Sequence, residues 1–162
     1  MFNKHKIIKD ECMLTGCFKK KGYDWWWHSF TARDAETNEE KPFFLEFFVV
    51  NPGKAQDRPT FGQLGETPSY LMVKIGTWGK NKTQVHNFYP WKDVKLRGKA
   101  PFSVEANGCY LDEYSTYGHA KVTEEEANAH PEYMCGAGEF EWNLKIQKDI
   151  AWNVGYGTSR LF

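Results

Sequence analysis

Between Gly138 and Gln147, Phe140, Trp142, Leu144 and Ile146 alternate with Glu139, Glu141, Asn143 and Lys145. A period of two with one wet face is the pattern of a half-buried β-strand, and it cannot be laid along an amphipathic helix. Apolar segments of strand length recur along the chain, cut by Gly, Pro, Asn and charged clusters. Strands are expected near 23–31, 42–50, 69–77, 84–91, 101–106, 109–114, 117–122, 138–147 and 150–155. Asn107-Gly108 lies between two of them and predicts a tight hairpin turn.

Only one helix is expected. Thr123-Glu124-Glu125-Glu126 matches a capping box, with Thr123 as N-cap and Glu126 reaching back. The helix ends after Asn128-Ala129-His130 because Pro131 follows. It holds too few apolar residues to form a core. Aromatic residues make up 17% of the chain, and 14 Gly with 7 Pro supply turns. The expected fold class is therefore all-β: an antiparallel, lipocalin-like (calycin-like) barrel or strongly curved sheet with one short helix. The 162 residues suffice for a single domain with a real core.

Composition removes several functional classes. Lys and Arg number 21 against 21 Asp and Glu, so no net field attracts nucleic acid or an anionic membrane. The runs Lys19-Lys20-Lys21 and Glu124-Glu125-Glu126 read as solvated surface. Cysteines at 12, 17, 109 and 135 have neither CxxC spacing nor a Cys/His ligand pattern, so no zinc site is expected. His28, His86 and His119 share no ligand spacing either, and no metal or other cofactor is expected. His119 and His130 are expected at the surface. There is no Gly-rich phosphate loop before a helix, no GxSxG and no HExxH. No apolar signal core follows the basic start and no run approaches membrane-spanning length, so a cytoplasmic protein with reduced thiols is expected.

What remains is a set of aromatic strands with isolated ionisable groups. Tyr23-Asp24-Trp25-Trp26-Trp27-His28-Ser29-Phe30 carries Asp24 and His28 in an apolar run, and Phe43–Pro52 carries Glu46. An apolar wall with a few fixed polar groups is the composition of a pocket for a hydrophobic ligand. In strand geometry Asp24, Trp26, His28 and Phe30 share one face, and Tyr23, Trp25, Trp27 and Ser29 the other. Phe44, Glu46 and Phe48 share a face of the next strand. If the two strands pair, Glu46 is expected across from Asp24 or His28. Tyr70 shares a face with Met72 and Lys74, of which Lys74 is expected in solvent. His86 alternates with Gln84 and Phe88 and is expected to line the same cavity. The loop 51–68, with Pro52, Pro59 and Pro68, is expected to form a rim or lid.

Asp24-Trp25-Trp26-Trp27 resembles the acidic-Trp-Trp-aromatic motif in an early strand of carotenoid 1,2-hydratase and AttH-like proteins. Phe43–Pro52 and Gly138-Glu139-Phe140-Glu141-Trp142-Asn143-Leu144 resemble the tocopherol cyclase-like family, which shares a two-part, lipocalin-like build. The resemblance implies barrels that hold isoprenoid substrates and proton-initiated hydration or cyclisation of a C=C bond, with no metal or redox cofactor. It also implies that this chain is the N-terminal half of a two-barrel architecture. The end at Phe162, soon after a strand and a glycine turn, is expected to mark either the boundary between the halves or the edge of a fragment. The residues tied to catalysis in the carotenoid hydratases lie in the later half, so only the Asp24–Trp27 motif carries over.

On this reading Asp24 or Glu46 is the acid, with His28 as a further catalytic candidate. Trp25, Trp26, Trp27, Phe44, Phe48, Tyr70 and His86 contact the ligand, and the tryptophans stabilise a carbocation. Plainer roles compete. Asp24 caps a turn or pairs with a cation, and Glu46 bonds Arg33, Arg58 or Tyr70. His28 is a hydrogen-bonded core residue, and the tryptophans are core or an interface. The alternatives at the level of the whole protein are a non-catalytic lipid carrier and an assembly subunit. The second pairs its aromatic strands with another barrel half or with a second copy.

Overall fold

The computed structural model describes residues 10–54, 65–79 and 82–148. Nine strands and one short α-helix follow in chain order: β1 Tyr23–Arg33, β2 Glu40–Val50, β3 Tyr70–Thr77, β4 Gln84–Pro90, β5 Val94–Arg97, β6 Ser103–Ala106, β7 Cys109–Asp112, β8 Ser115–Val122, α1 Glu124–Ala129 and β9 Gly138–Lys145. All pairings are antiparallel. They form a four-stranded sheet in the order β1-β2-β3-β4 and a five-stranded sheet in the order β5-β6-β7-β8-β9. The all-β antiparallel class and the single short helix are as expected. The described strands make two sheets rather than one closed barrel. The expected strand at 150–155 and most of the expected lid lie outside the described residues.

Local chemistry explains most element boundaries. The β1–β2 loop is an Asx turn, in which Asp34 Oδ1 accepts the backbone N–H of Glu36 and Thr37 at 2.9 and 2.8 Å. Asn107 and Gly108 both have positive φ, 45° and 81°, as a two-residue type I′ hairpin requires. Thr123 and Glu126 form the capping box reciprocally. The strand expected at 109–114 stops at Asp112, whose Oδ1 accepts from the amides of Tyr114 and Ser115. That turn starts β8 at Ser115, two residues earlier than expected. β5 is an added strand. Its four residues alternate Val94, Lys95, Leu96, Arg97 directly after a 3₁₀ turn at Trp91–Asp93.

One hydrophobic core joins the sheets. Leu45, Phe47 and Val49 of β2, Leu71 and Val73 of β3, and Val85 of β4 are fully buried, as are Val104 of β6 and Cys109 of β7. Each large aliphatic or Phe side chain so buried contributes about 1.5–3 kcal/mol. Trp26 packs against Phe102 with ring centroids 4.5 Å apart and the planes tilted by 35°, tying β1 to the residue that leads into β6 of the second sheet. Trp142 of β9 lies over Gly118 and donates its indole N–H to Thr116 Oγ1 at 3.0 Å. Among the described residues no helix is long and apolar enough to cross a membrane.

Candidate functional site

The register of the first sheet decides where its ionisable groups go. Trp27 pairs with Glu46, Glu46 with Lys74, and Lys74 with His86. Residues directly opposite in an antiparallel sheet share a face. These four therefore make one row across all four strands, on the face turned away from the core. The neighbouring row is Trp25, Phe48, Met72 and Phe88, and the row on the other side is Ser29, Phe44, Gly76 and Gln84.

The expected pairing of Glu46 with Asp24 or His28 does not occur. Asp24 lies opposite Val49 and His28 opposite Leu45, on the core side. Asp24 accepts the backbone N–H of Met13 at 2.6 Å and of Trp25 at 2.9 Å, so its carboxylate fastens the N-terminal segment to β1. Trp26 is a core residue. His28 is half-buried, and its Nδ1 has no hydrogen-bond partner among the described residues. Burial pulls the His28 pKa down; Asp10, ion-paired with Lys148 at 2.7 Å, acts in the opposite direction.

The outer face is aromatic and open. Tyr23, Trp25, Trp27 and Trp78 are 60, 50, 41 and 45% exposed. Tyr23, Trp25 and Phe48 stack as one group, with centroids 5.4–6.3 Å apart. Trp27, Phe44 and Trp78 form a second. Phe44 is 1% exposed and nearly parallel to Trp27 at 5.0 Å, with Trp78 tilted against it at 4.9 Å. Gly76 makes the room, since a Cβ there would lie 2.9 Å from Phe44 Cζ and 2.7 Å from Thr83 O. The Lys74 ammonium stands 5.3 Å from the Phe44 ring centre. Tyr70 meets Phe88 edge-on at 5.4 Å, and burial raises the pKa of its hydroxyl.

Glu46 sits among these rings. Burial pushes its carboxyl above the ordinary range, and the Lys74 charge partly opposes that shift. Arg33, one candidate partner for it, instead bonds Glu40 and Asn38; Arg58, another, lies outside the described residues. At the end of the row, His86 is 8% exposed, and burial lowers its pKa. His86 Nδ1–H donates to Tyr133 O at 3.0 Å, which leaves Nε2 as an acceptor. That nitrogen is buried and without a hydrogen-bond partner among the described residues. His119 and His130 are exposed, as expected; His119 lies on β8 and contacts Glu139.

Of the ten candidate site residues, Trp25, Trp27, Phe44, Glu46, Phe48, Tyr70 and His86 come together on the outer face. Asp24, Trp26 and His28 do not. Trp78 and Lys74 belong to the cluster and were not among the candidates. Trp78 lies just past the end of β3, where strand alternation no longer assigns a face. Among the described residues no group of three or more His, Cys, Asp or Glu side chains is placed to hold a metal ion. Comparison with protein families, with curated proteins and with solved structures finds no match to this chain.

Proposed function

We propose that this chain binds a hydrophobic, isoprenoid-type ligand across the outer aromatic face of β1–β4, with Glu46 as the acid that protonates a C=C bond. The observation that carries the reading is a single one: a carboxyl whose pKa is raised by burial, standing between Trp27, Phe44 and Phe48. A carboxyl raised in this way holds its proton to higher pH than an ordinary one and so suits proton donation, and ring faces beside it stabilise the cation that forms. The proton passes from Glu46 to one alkene carbon, and the π pair forms the new C–H bond. The cation left on the other carbon is captured by water with loss of a proton, or by a second C=C bond, after which the new cation loses a proton from the adjacent carbon. In either case the released proton returns to the Glu46 carboxylate, and the Lys74 ammonium stabilises that carboxylate meanwhile. Because Lys74 already occupies the Phe44 face, the cation belongs on the Trp25–Phe48 side.

A second reading is favoured by the exposure of Tyr23, Trp25, Trp27 and Trp78: a contiguous aromatic patch of this kind also suits an interface between copies of the chain or with another barrel half. Native mass spectrometry with added farnesol, together with light scattering at several concentrations, separates the two. The ligand reading predicts a monomer carrying one farnesol, lost in a Trp25→Ala/Trp27→Ala variant. A farnesol-free dimer that the same variant dissociates would establish the interface instead.

A further inference from the structure

A concave site separate from the open aromatic face is lined by cations. The N-terminal segment, the turn after β2 and strand β5 enclose a groove of about 500 Å³. That is within the range of small-molecule sites. Its apolar surface is Leu14, Pro52, Trp91, Val94 and Leu96, and its charged lining is Lys19, Arg97 and Lys99. Among the described residues no acidic side chain lines it. Lys99 is paired with Glu11 at 2.7 Å. Lys19 and Arg97 have no ion-pair or side-chain hydrogen-bond partner among the described residues.

The walls are pinned at both ends. Cys12 N–H donates to Gly98 O at 2.9 Å, and a Cβ on Gly98 would stand 3.1 Å from Cys12 Cβ. At the other end Gly53 N–H donates to Lys19 O at 2.6 Å, and a Cβ on Gly53 would stand 2.6 Å from Lys19 Cβ. Two close backbone approaches, each made possible by a glycine, hold the groove open between them.

We infer that this groove binds a single-chain amphiphile with a phosphate head. The chain would lie along Leu14, Trp91, Val94 and Leu96, and Lys19 and Arg97 would hold the head. Two unpaired cations match a phosphate monoester, which carries about −1.5 to −2 charges at neutral pH. The guanidinium of Arg97 suits two of its oxygens at once. The site uses none of the residues of the aromatic face and stands or falls separately from it.

The test is a titration of the ¹⁵N-labelled full chain with dodecyl phosphate below its micellar range, with laurate, dodecanol and inorganic phosphate in parallel. The amide signals of Cys12, Gly53 and Gly98 are followed. Dodecyl phosphate is expected to shift them and to bind at least tenfold more tightly than dodecanol or inorganic phosphate, and more tightly than laurate. A Lys19→Ala/Arg97→Ala variant, both side chains being exposed, should weaken it by roughly tenfold or more, and Trp25→Ala should not change it. Equal binding of dodecanol, preference for laurate, or indifference to the double variant would each overturn the assignment. Inorganic phosphate binding as well as dodecyl phosphate would reduce the site to exposed cations and overturn it too.

Discussion

Glu46 of β2 lies directly opposite Trp27 of β1, and both point away from the core. This places an acid in an aromatic patch instead of beside Asp24 or His28. It also divides the Asp24–His28 stretch between two tasks. Trp26 and Asp24 hold β1 to the core and to the N-terminal segment, while Trp25 and Trp27 face outward with Glu46.

The raised carboxyl of Glu46 has a consequence for stability. Its folded pKa lies above the unfolded value of 4.5, so its contribution is fully present below 4.5 and is lost as pH rises through the folded value. At neutral pH the buried carboxylate is therefore a cost. Glu46→Gln should be at least as stable as the wild type at neutral pH in urea denaturation, with the advantage gone below 4.5. A clearly destabilised variant at neutral pH would mean that a partner holds the carboxylate.

His86 and His28 work in the other direction. Both have pKa values below 6.5, so the stability they contribute is present above 6.5 and is lost as pH falls through their folded values. Acidification below 6.5 should weaken the fold. His86→Asn, which keeps an N–H for Tyr133 O, should flatten part of that slope, and His28→Gln another part. Denaturation midpoints measured across this pH window check it; an unchanged slope in both variants would rule it out.

Two glycines should respond differently to the same change. Alanine at Gly118 puts a Cβ 2.5 Å from Trp142 Cζ2 and 3.0 Å from Cys109 Cα, with backbone behind and a buried indole in front. Gly118→Ala should cost roughly 1–3 kcal/mol by overpacking and should alter the near-UV circular dichroism of Trp142. Gly108 meets nothing within 4 Å but has φ of 81°. Gly108→Ala should cost about 1–2 kcal/mol through backbone strain alone, leaving that spectrum unchanged. Equal spectral effects would contradict the assignment of Trp142 to the Gly118 contact.

How much of this was legible in the sequence depends on how local each signal is. The β9 alternation, the Asn107-Gly108 turn and the Thr123 capping box each lie within a few residues, and all three form as read. β5 escaped because its alternation spans only four residues, Val94 to Arg97, directly after a turn. The early start of β8 depends on Asp112 bonding amides ahead of it, which shortens β7. The β1–β2 register was the largest gap. The Asx turn at Asp34 sets it, and three successive tryptophans give no polar–apolar contrast to mark which face is buried. Glu46 was identified as a candidate; its neighbours required the register.

The most direct test of the central claim is incubation of the protein with farnesol in D₂O, comparing wild type with Glu46→Gln and following binding separately by tryptophan fluorescence. The account predicts that the wild type yields a hydrated or cyclised product with one deuterium bonded to carbon. It predicts that Glu46→Gln still binds farnesol and forms none. No carbon-bound deuterium with the wild type, or equal incorporation by the variant, would contradict it.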